Sequence, residues 1–295
     1  MHKSGFINII GNPNVGKSTL MNALVGERMS IISNKPQTTR HRIIGIVSEA
    51  DFQMVFSDTP GYIKDPSYAL QESMNKFVNG TFVDADALVI VVDATENYED
   101  EHPLFRKLEK VEVPKFLVIN KIDLTDESTL LQLIANWQKV ADFDEIIPIS
   151  ALEKEGTEHL FNSLLNCLPE GPEYYPKDQF TDRPERFFIS EIIREKMLLN
   201  YHQEIPYSCE VVVDAFKEDE AKNLVRIYAT IYMSRNSQKN IVIGKKGAAI
   251  KKLGIESRQD IEKFLDKKVY LELFVKVREN WRNDDKFLKS FGYQE

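Results

Sequence analysis

The sequence predicts two domains of different class: an α/β domain with a doubly wound, mostly parallel sheet, followed by a smaller α+β domain. Three observations carry this. Up to about residue 165, short β-rich runs alternate with longer amphipathic segments, as strands with covering helices do. Between residues 169 and 182 three prolines (Pro169, Pro172, Pro176) and Gly171 stand among polar residues, a linker composition. Beyond residue 183 the order changes to helix, strand, strand, then helices and a further strand. The expected boundaries are 1–168 for the first domain, 169–182 for the linker, and 183–295 for the second domain with its C-terminal helix.

In the first domain, strands are expected at 5–10, 42–48, 51–57, 86–92, 115–120 and 146–149, and helices near 17–25, 70–80, 101–110, 127–140 and 156–166. The run Ala87 to Val92 has no polar residue, as a strand buried on both faces requires. In the second domain a helix is expected at 184–198, strands at 207–217 and 223–234, helices at 247–253 and 256–266, and a strand at 268–277. Ile241-Val-Ile243 reads only as a β-branched run. A short helical segment from Asn280 carries Trp281 and Phe287.

A content of 42% hydrophobic and 28% charged residues belongs to a soluble globular chain and excludes a disordered one. Phe6 to Ile10 is too short for a signal peptide, and no apolar run approaches the ~18 residues of a spanning helix. Cys167 and Cys209 form no CxxC pair, which argues against zinc and disulfide frameworks and for a cytoplasmic setting. The net charge of −8 is unevenly placed: residues 1–180 carry 16 Lys/Arg against 27 Asp/Glu, and residues 181–295 carry 22 against 19. Six basic and no acidic residues lie between Arg235 and Lys252, which suggests a polyanion partner at one place. A solvated helix face is the plainer explanation of such a run.

Gly11-Asn12-Pro13-Asn14-Val15-Gly16-Lys17-Ser18 fits GxxxxGK[ST] between a strand and a helix, followed by Thr19. Such a loop wraps phosphates with backbone N–H groups at a helix N-terminus. Lys17 is expected on the β- and γ-phosphates and the Ser18 hydroxyl on Mg²⁺. Asp58-Thr59-Pro60-Gly61 follows a strand. By itself it reads as a turn; beside a phosphate loop, Asp58 becomes a Mg²⁺ carboxylate and Gly61 a γ-phosphate sensor. Asn120-Lys121-Ile-Asp123 resembles the NKxD signature of GTPases. A carboxylate at Asp123 accepts from guanine N1–H and its 2-amino group, and adenine would leave it unpaired. Ser150-Ala151-Leu152 falls where GTPases offer a backbone N–H to the guanine oxygen.

Lys35-Pro-Gln-Thr38-Thr39-Arg40 lies in the interval that closes on Mg²⁺ and γ-phosphate in GTPases; Thr39 is favoured, with Thr38 as the alternative. Tyr62 stands where Ras-type enzymes carry a water-orienting glutamine, so slow intrinsic hydrolysis is expected. Lys17, Thr39, Asp58 and Gly61 are the candidate catalytic group, and Ser18, Thr39 and Asp58 the candidate metal ligands. Asn14 matches the asparagine that helps bind K⁺ in related GTPases, where the cation supplies charge over the phosphates.

Gly244-Lys245-Lys246-Gly247 matches the weak GxxG signature of KH domains, whose glycines let about four nucleotides approach the backbone. Its weight comes from the element order and the basic cluster around it, which resemble a type II KH fold. Ile241, Ile243 and Lys251 join the loop as candidate RNA contacts, with core packing equally open for the two isoleucines.

Together with Gln37-Thr-Thr-Arg-His-Arg42 and Val275-Lys-Val-Arg-Glu-Asn-Trp281, these motifs resemble the Era family of ribosome-assembly GTPases over nearly the whole chain. The resemblance implies a P-loop GTPase domain joined to a type II KH domain. It also implies binding near the 3′ end of small-subunit rRNA, help in maturation of that subunit, a partner that is RNA and not DNA, and loose contact with the cytoplasmic membrane face. Leu152 stands where many GTPases have lysine. Two other readings stay open: an RNA-binding module using nucleotide only as a structural ligand, and a GTPase for transfer-RNA modification or membrane signalling.

Overall fold

The computed structural model describes residues 2–96 and 103–294. The chain divides into two compact units, Met1–Ser67 with Gln71–Asp182, and Tyr68–Leu70 with Arg183–Glu295.

The first unit is built on strands β1 (Lys3–Gly11), β2 (Ile43–Ser48), β3 (Phe52–Asp58), β4 (Ala87–Asp93), β5 (Lys115–Asn120) and β6 (Glu145–Pro148). They form one sheet in the order β2-β3-β1-β4-β5-β6, parallel throughout except that β2 runs antiparallel to β3. Every residue of β4 is buried, which explains its unbroken apolar sequence. Helices α1 (Lys17–Val25), α2 (Ala69–Gly80), α3 (Pro103–Leu108), α4 (Glu127–Trp137) and α5 (Thr157–Cys167) follow the strands. The expected helix at 101–110 begins at two residues outside the described ones; the rest contains α3. Register aligns the strand ends: Ile9 pairs with Asp58, Gly11 with Val91, and Asp93 with Asn120. The motif loops therefore emerge together at the carboxyl edge of the sheet, where open α/β sheets bind ligands.

Residues 169–182, linker-like in composition, are strapped to this unit. The Ile46 N–H donates to the Phe180 carbonyl at 2.9 Å, which gives the edge strand β2 a partner. Gln53, fully buried, accepts at Oε1 from the Tyr174 and Tyr175 N–H groups (2.7 and 3.0 Å) and donates from Nε2 to the Tyr175 carbonyl at 2.8 Å.

The second unit comprises α6 (Glu185–Asn200), β7 (Cys209–Asp219), β8 (Leu224–Met233), α7 (Asn236–Ile243), α8 (Ala248–Leu265), β9 (Lys268–Val277) and α9 (Asp285–Ser290). Its sheet runs β7-β8-β9, with β7 antiparallel and β9 parallel to β8. Ile189, Ile193, Met197, Ile227, Ile231, Val242 and Ile261 meet in a core between the helices and one sheet face. Trp281 is fully buried and donates its Nε1–H to the Ser208 carbonyl at 3.1 Å. Two elements depart from expectation. The β-branched run 241–243 forms the last turn of α7, and the two helices expected at 247–253 and 256–266 are one, α8, unbroken at Gly254. No helix among the described residues is long and apolar enough to cross a membrane.

Candidate functional site

The loop between β1 and α1 turns back through Gly16, at φ 96°, a left-handed conformation that favours glycine. A Cβ there would lie 2.1 Å from Asn120 Nδ2, so Gly16 also permits the close approach of β5. Asn120 ties three motifs together. Its Nδ2 donates to the Val15 carbonyl at 2.8 Å, and its Oδ1 accepts from the Ala151 N–H at 2.9 Å. Ser150 is buried and accepts from the Glu153 N–H at 3.2 Å, whereas Leu152 projects into solvent, 72% exposed. Asp123 is exposed, in a short turn opened by Lys121 at φ 67°.

Lys17 is buried, its ammonium donating to the carbonyls of Gly11 (3.1 Å) and Asn12 (2.7 Å). Burial lowers it to about 8, with the Asp58 charge pulling the other way. Ser18 Oγ donates to Asp58 Oδ2 at 2.6 Å and lies 2.8 Å from Thr39 Oγ1, which is 3.3 Å from the same carboxylate oxygen. Thr38 instead donates its hydroxyl to the Lys35 carbonyl at 2.6 Å. Burial raises the Asp58 carboxyl above its ordinary value, against the hydrogen bond from Ser18 and the Lys17 charge. Asp58 Oδ1 is buried and accepts no hydrogen bond. One buried carboxylate with a spare oxygen and two hydroxyls is an oxygen donor set of the kind Mg²⁺ takes, so the residues fit that ion.

A cavity of about 230 Å³ opens over this group, lined by Pro13, Asn14, Gly16 to Thr19, Thr38, Thr39, Thr59, Gly61 and Lys121 among the expected residues and their neighbours. Gly11, Asn12, Val15, Pro60, Asn120, Asp123 and 150–152 do not line it. The Thr59 hydroxyl donates to the Ile9 carbonyl at 2.8 Å, a bond that fixes the turn after β3. Asn14 Nδ2 donates to the Asn34 carbonyl at 3.2 Å.

Sequence reasoning missed several neighbours. Ile31, Ile32, Ser33, Asn34 and Gln37 also line the cavity. Asp93 Oδ2 lies 2.5 Å from the Lys121 ammonium, and its Oδ1 accepts from the Thr95 N–H and hydroxyl (2.8 and 2.7 Å). Burial alone would raise the Asp93 carboxyl; Lys121 and Thr95 outweigh it and hold it below its ordinary value. The available signal was Asp93 ending an apolar strand.

In the second unit, Gly244 (φ 71°) and Gly247 (φ 78°) flank a turn between α7 and α8, with Lys246 also at positive φ (52°). A Cβ on Gly244 would lie 2.6 Å from Ala249 Cβ. Lys245, Lys246, Lys251 and Ile241 are exposed around the turn, and Ile243 is half-buried.

Comparison with known proteins agrees with both halves. The family described as 50S ribosome-binding GTPase matches residues 6–121, and the KH domain family matches residues 204–282. GTPase Era of Syntrophus aciditrophicus is 51% identical over 296 residues, covering 100% of this chain and 96% of the relative. GTPase Era of Staphylococcus haemolyticus is 47% identical, covering 100% and 98%. Among solved structures, a variant of Aquifex aeolicus Era bound to GDP·AlF4⁻ superposes with a TM-score of 0.94 at 37% identity, covering 99% of this chain and 100% of that one. Era in complex with MgGDPNP and nucleotides 1506–1542 of 16S ribosomal RNA gives 0.95 at 37% identity, covering 100% of both. By full-length similarity the chain belongs to the Era family of GTPases, enzymes that hydrolyse GTP to GDP and phosphate.

Proposed function

We propose that this chain is a slow GTPase timer whose nucleotide state gates the binding of small-subunit rRNA near its 3′ end during assembly of that subunit. The observation that carries the reading is one chain holding both a Lys17–Ser18–Thr39–Asp58 cluster, buried but for half-buried Ser18, and a GxxG turn. Its resemblance to an Era solved with MgGDPNP and a 16S rRNA segment supports it.

Backbone N–H groups of 14–18 and the Lys17 ammonium hold the β- and γ-phosphates. Displacing Lys17 from the Gly11 and Asn12 carbonyls onto phosphate exchanges two neutral acceptors for a charged one, a stronger bond. Ser18, Thr39 and Asp58 would hold Mg²⁺, which would supply positive charge to the phosphates when bound. Gly61 presents its N–H to the γ-phosphate, and Asn120, Asp123 and the 150–152 loop read guanine. Loss of the γ-phosphate releases Thr39 and the loop before β2. With Tyr62 in place of a glutamine, water is oriented by other groups, and K⁺ at Asn14 adds charge over the phosphates. Equal hydrolysis rates in sodium and potassium buffers would exclude the K⁺ step.

The Gly244–Gly247 turn clamps RNA, with Lys245, Lys246 and Lys251 on phosphates and Ile241 and Ile243 beside bases. A cytoplasmic location with loose contact at the membrane face follows from the family resemblance. The test is binding of a single-stranded RNA copied from the small-subunit 3′ end, with GDP and with a non-hydrolysable GTP analogue. Wild type is compared with Gly244→Asp and, because that variant strains a left-handed position, with Lys246→Glu. Tighter binding in the GTP-analogue state, lost in both variants, is expected. Equal binding in the two nucleotide states would remove the gating step.

A further inference from the structure

Helices α6, α7 and α8 cover one face of the second unit's sheet. The other is covered at one end by the C-terminal segment, where the Phe291 ring lies 5.5 Å from that of Tyr232 and the Tyr293 hydroxyl donates to Glu210 at 2.7 Å, and is open beyond it. On β8, Val225, Ile227, Ala229 and Ile231 are buried inward, so Arg226, Tyr228, Thr230 and Tyr232 point the other way. Register sets Arg226 beside Tyr270, Tyr228 beside Glu272, Thr230 beside Phe274 and Tyr232 beside Lys276. Tyr270 and Phe274 are 44% and 42% exposed, on a strand with only one neighbour.

Exposed aromatic rings on an edge strand invite self-association, and soluble chains blunt such edges unless the surface has a use. The rings here are interleaved with cations. The Arg226 guanidinium lies 5.8 Å from the Tyr270 ring centroid, Tyr228 and Tyr270 are 6.2 Å apart at 60°, and Arg278 lies 5.9 Å from Tyr232. Lys217, opposite Arg226, and Lys276 add positive charge to the face. Four carboxylates share the face: Glu210 accepts from the Tyr293 hydroxyl at 2.7 Å, Asp214 from the Thr230 hydroxyl at 2.6 Å and Glu272 from the Tyr270 hydroxyl at 3.1 Å, and Asp219 lies 3.8 Å from Lys222. In a chain of net charge −8, the cations of this face gather at its flat rings, Arg226 beside Tyr270, and Arg278 and Lys276 beside Tyr232.

We propose that the open face of the β7-β8-β9 sheet is a second single-stranded RNA surface, on which Tyr270 and Phe274 stack bases and Arg226 and Lys276 meet phosphates. Aromatic rings on an open sheet take two or three unpaired bases in this way, without strict sequence preference. Four residues of strand separate Tyr270 from Phe274 by about 13 Å, so each ring takes its own base. Strand β9 is common to both sites: α7, which leads into the GxxG turn, packs on its inner side, and the rings stand on its other side. RNA leaving the clamp at the end of α7 crosses the β9 edge onto the rings. This inference rests on the RNA-binding reading above.

Its test uses the full chain and two single-stranded RNAs from the small-subunit 3′ end, one of about four nucleotides to fill the clamp and one of about eight. A 2-aminopurine placed beyond the fourth nucleotide reports stacking. The longer RNA is expected to bind wild type more tightly and to quench the reporter. Tyr270→Ala with Phe274→Ala should weaken the longer RNA at least about tenfold, leave the shorter one unchanged and abolish quenching. Tyr270→Phe, which keeps the ring and loses the hydroxyl, should restore both. Lys246→Glu should weaken both RNAs. Unchanged affinity and quenching in the double alanine variant would overturn the platform while leaving the clamp intact. Failure of wild type to bind either RNA would overturn the RNA reading itself and the platform with it.

Discussion

Tyr62 shows how one side chain can be fixed by a partner far along the sequence. Its N–H donates to the Gly11 carbonyl at 3.3 Å, and its ring lies 5.0 Å from the Lys107 ammonium. Lys107 also sits 5.9 Å from the Phe82 ring centroid and donates to Asn79 Oδ1 at 2.5 Å. The turn that carries Gly61 is thereby tied to the phosphate loop at one end and to α3 at the other. A cation over an aromatic ring contributes about 0.5–2 kcal/mol, enough to order a loop that must meet the γ-phosphate. Lys107→Met keeps the alkyl packing and removes the charge. It is expected to slow single-turnover GTP hydrolysis about three- to tenfold, within that range of energies, while GDP affinity holds, because Lys107 does not line the cavity. Lys107→Arg should restore the rate. Burial lowers the Lys107 pKa below its ordinary 10.5. The charged form is therefore lost as pH rises towards 10.5, and the gap between wild type and Lys107→Met should narrow over that interval. A gap that stays constant would mean that Lys107 acts through packing alone.

At the level of elements, the strap 169–182 tests how composition misleads. Its prolines mark it as a connector, yet Gln53 on β3 holds its backbone through three hydrogen bonds and adds a fourth to Ser48 Oγ at 3.0 Å. Gln53→Ala leaves two strap amides without their acceptor and costs about 2–4 kcal/mol, at ~1 kcal/mol for each bond. Faster amide exchange at Tyr174 and Tyr175, with GDP affinity unchanged, is the expected result; unchanged exchange would show that Phe180 on β2 suffices. The strands, most helices and the four nucleotide motifs were legible because each is written in a contiguous stretch and lies at a strand end. What escaped was set by distant partners. The β-branched 241–243 run is helical because Val242 is buried in the core and its carbonyl accepts the Tyr201 hydroxyl at 2.8 Å, which overrides local propensity. Gly254 does not break α8, since the helix packs there on Leu273, 3.7 Å from where a Cβ would stand. Asp93 and Gln53 escaped for the same reason: a single polar residue in an apolar strand does not announce what it binds.

For the molecule as a whole, two units with separate cores, one acidic and one basic, make nucleotide and RNA ligands of different parts of a single chain. A ligand that binds only the folded form of one unit stabilises that unit by RT ln(1 + [L]/Kd), about 2.7 kcal/mol at a hundredfold excess over Kd. Calorimetry of the GDP·Mg²⁺ complex should therefore raise the transition of the first unit and leave that of the second in place, with single-stranded RNA doing the reverse. The GTP-analogue state differs if nucleotide gates RNA binding. Coupling free energy is reciprocal, so a tenfold gain in RNA affinity on loading the analogue requires a tenfold gain in analogue affinity on adding RNA, about 1.4 kcal/mol either way. Titrating both ligands in both orders closes the cycle. RNA that tightens the analogue but not GDP, by the same factor as the analogue tightens RNA, establishes the gate. Two transitions that move independently in the GTP-analogue state, as they do with GDP, would reduce the chain to a GTPase and an RNA-binding domain that share a polypeptide without signalling to each other.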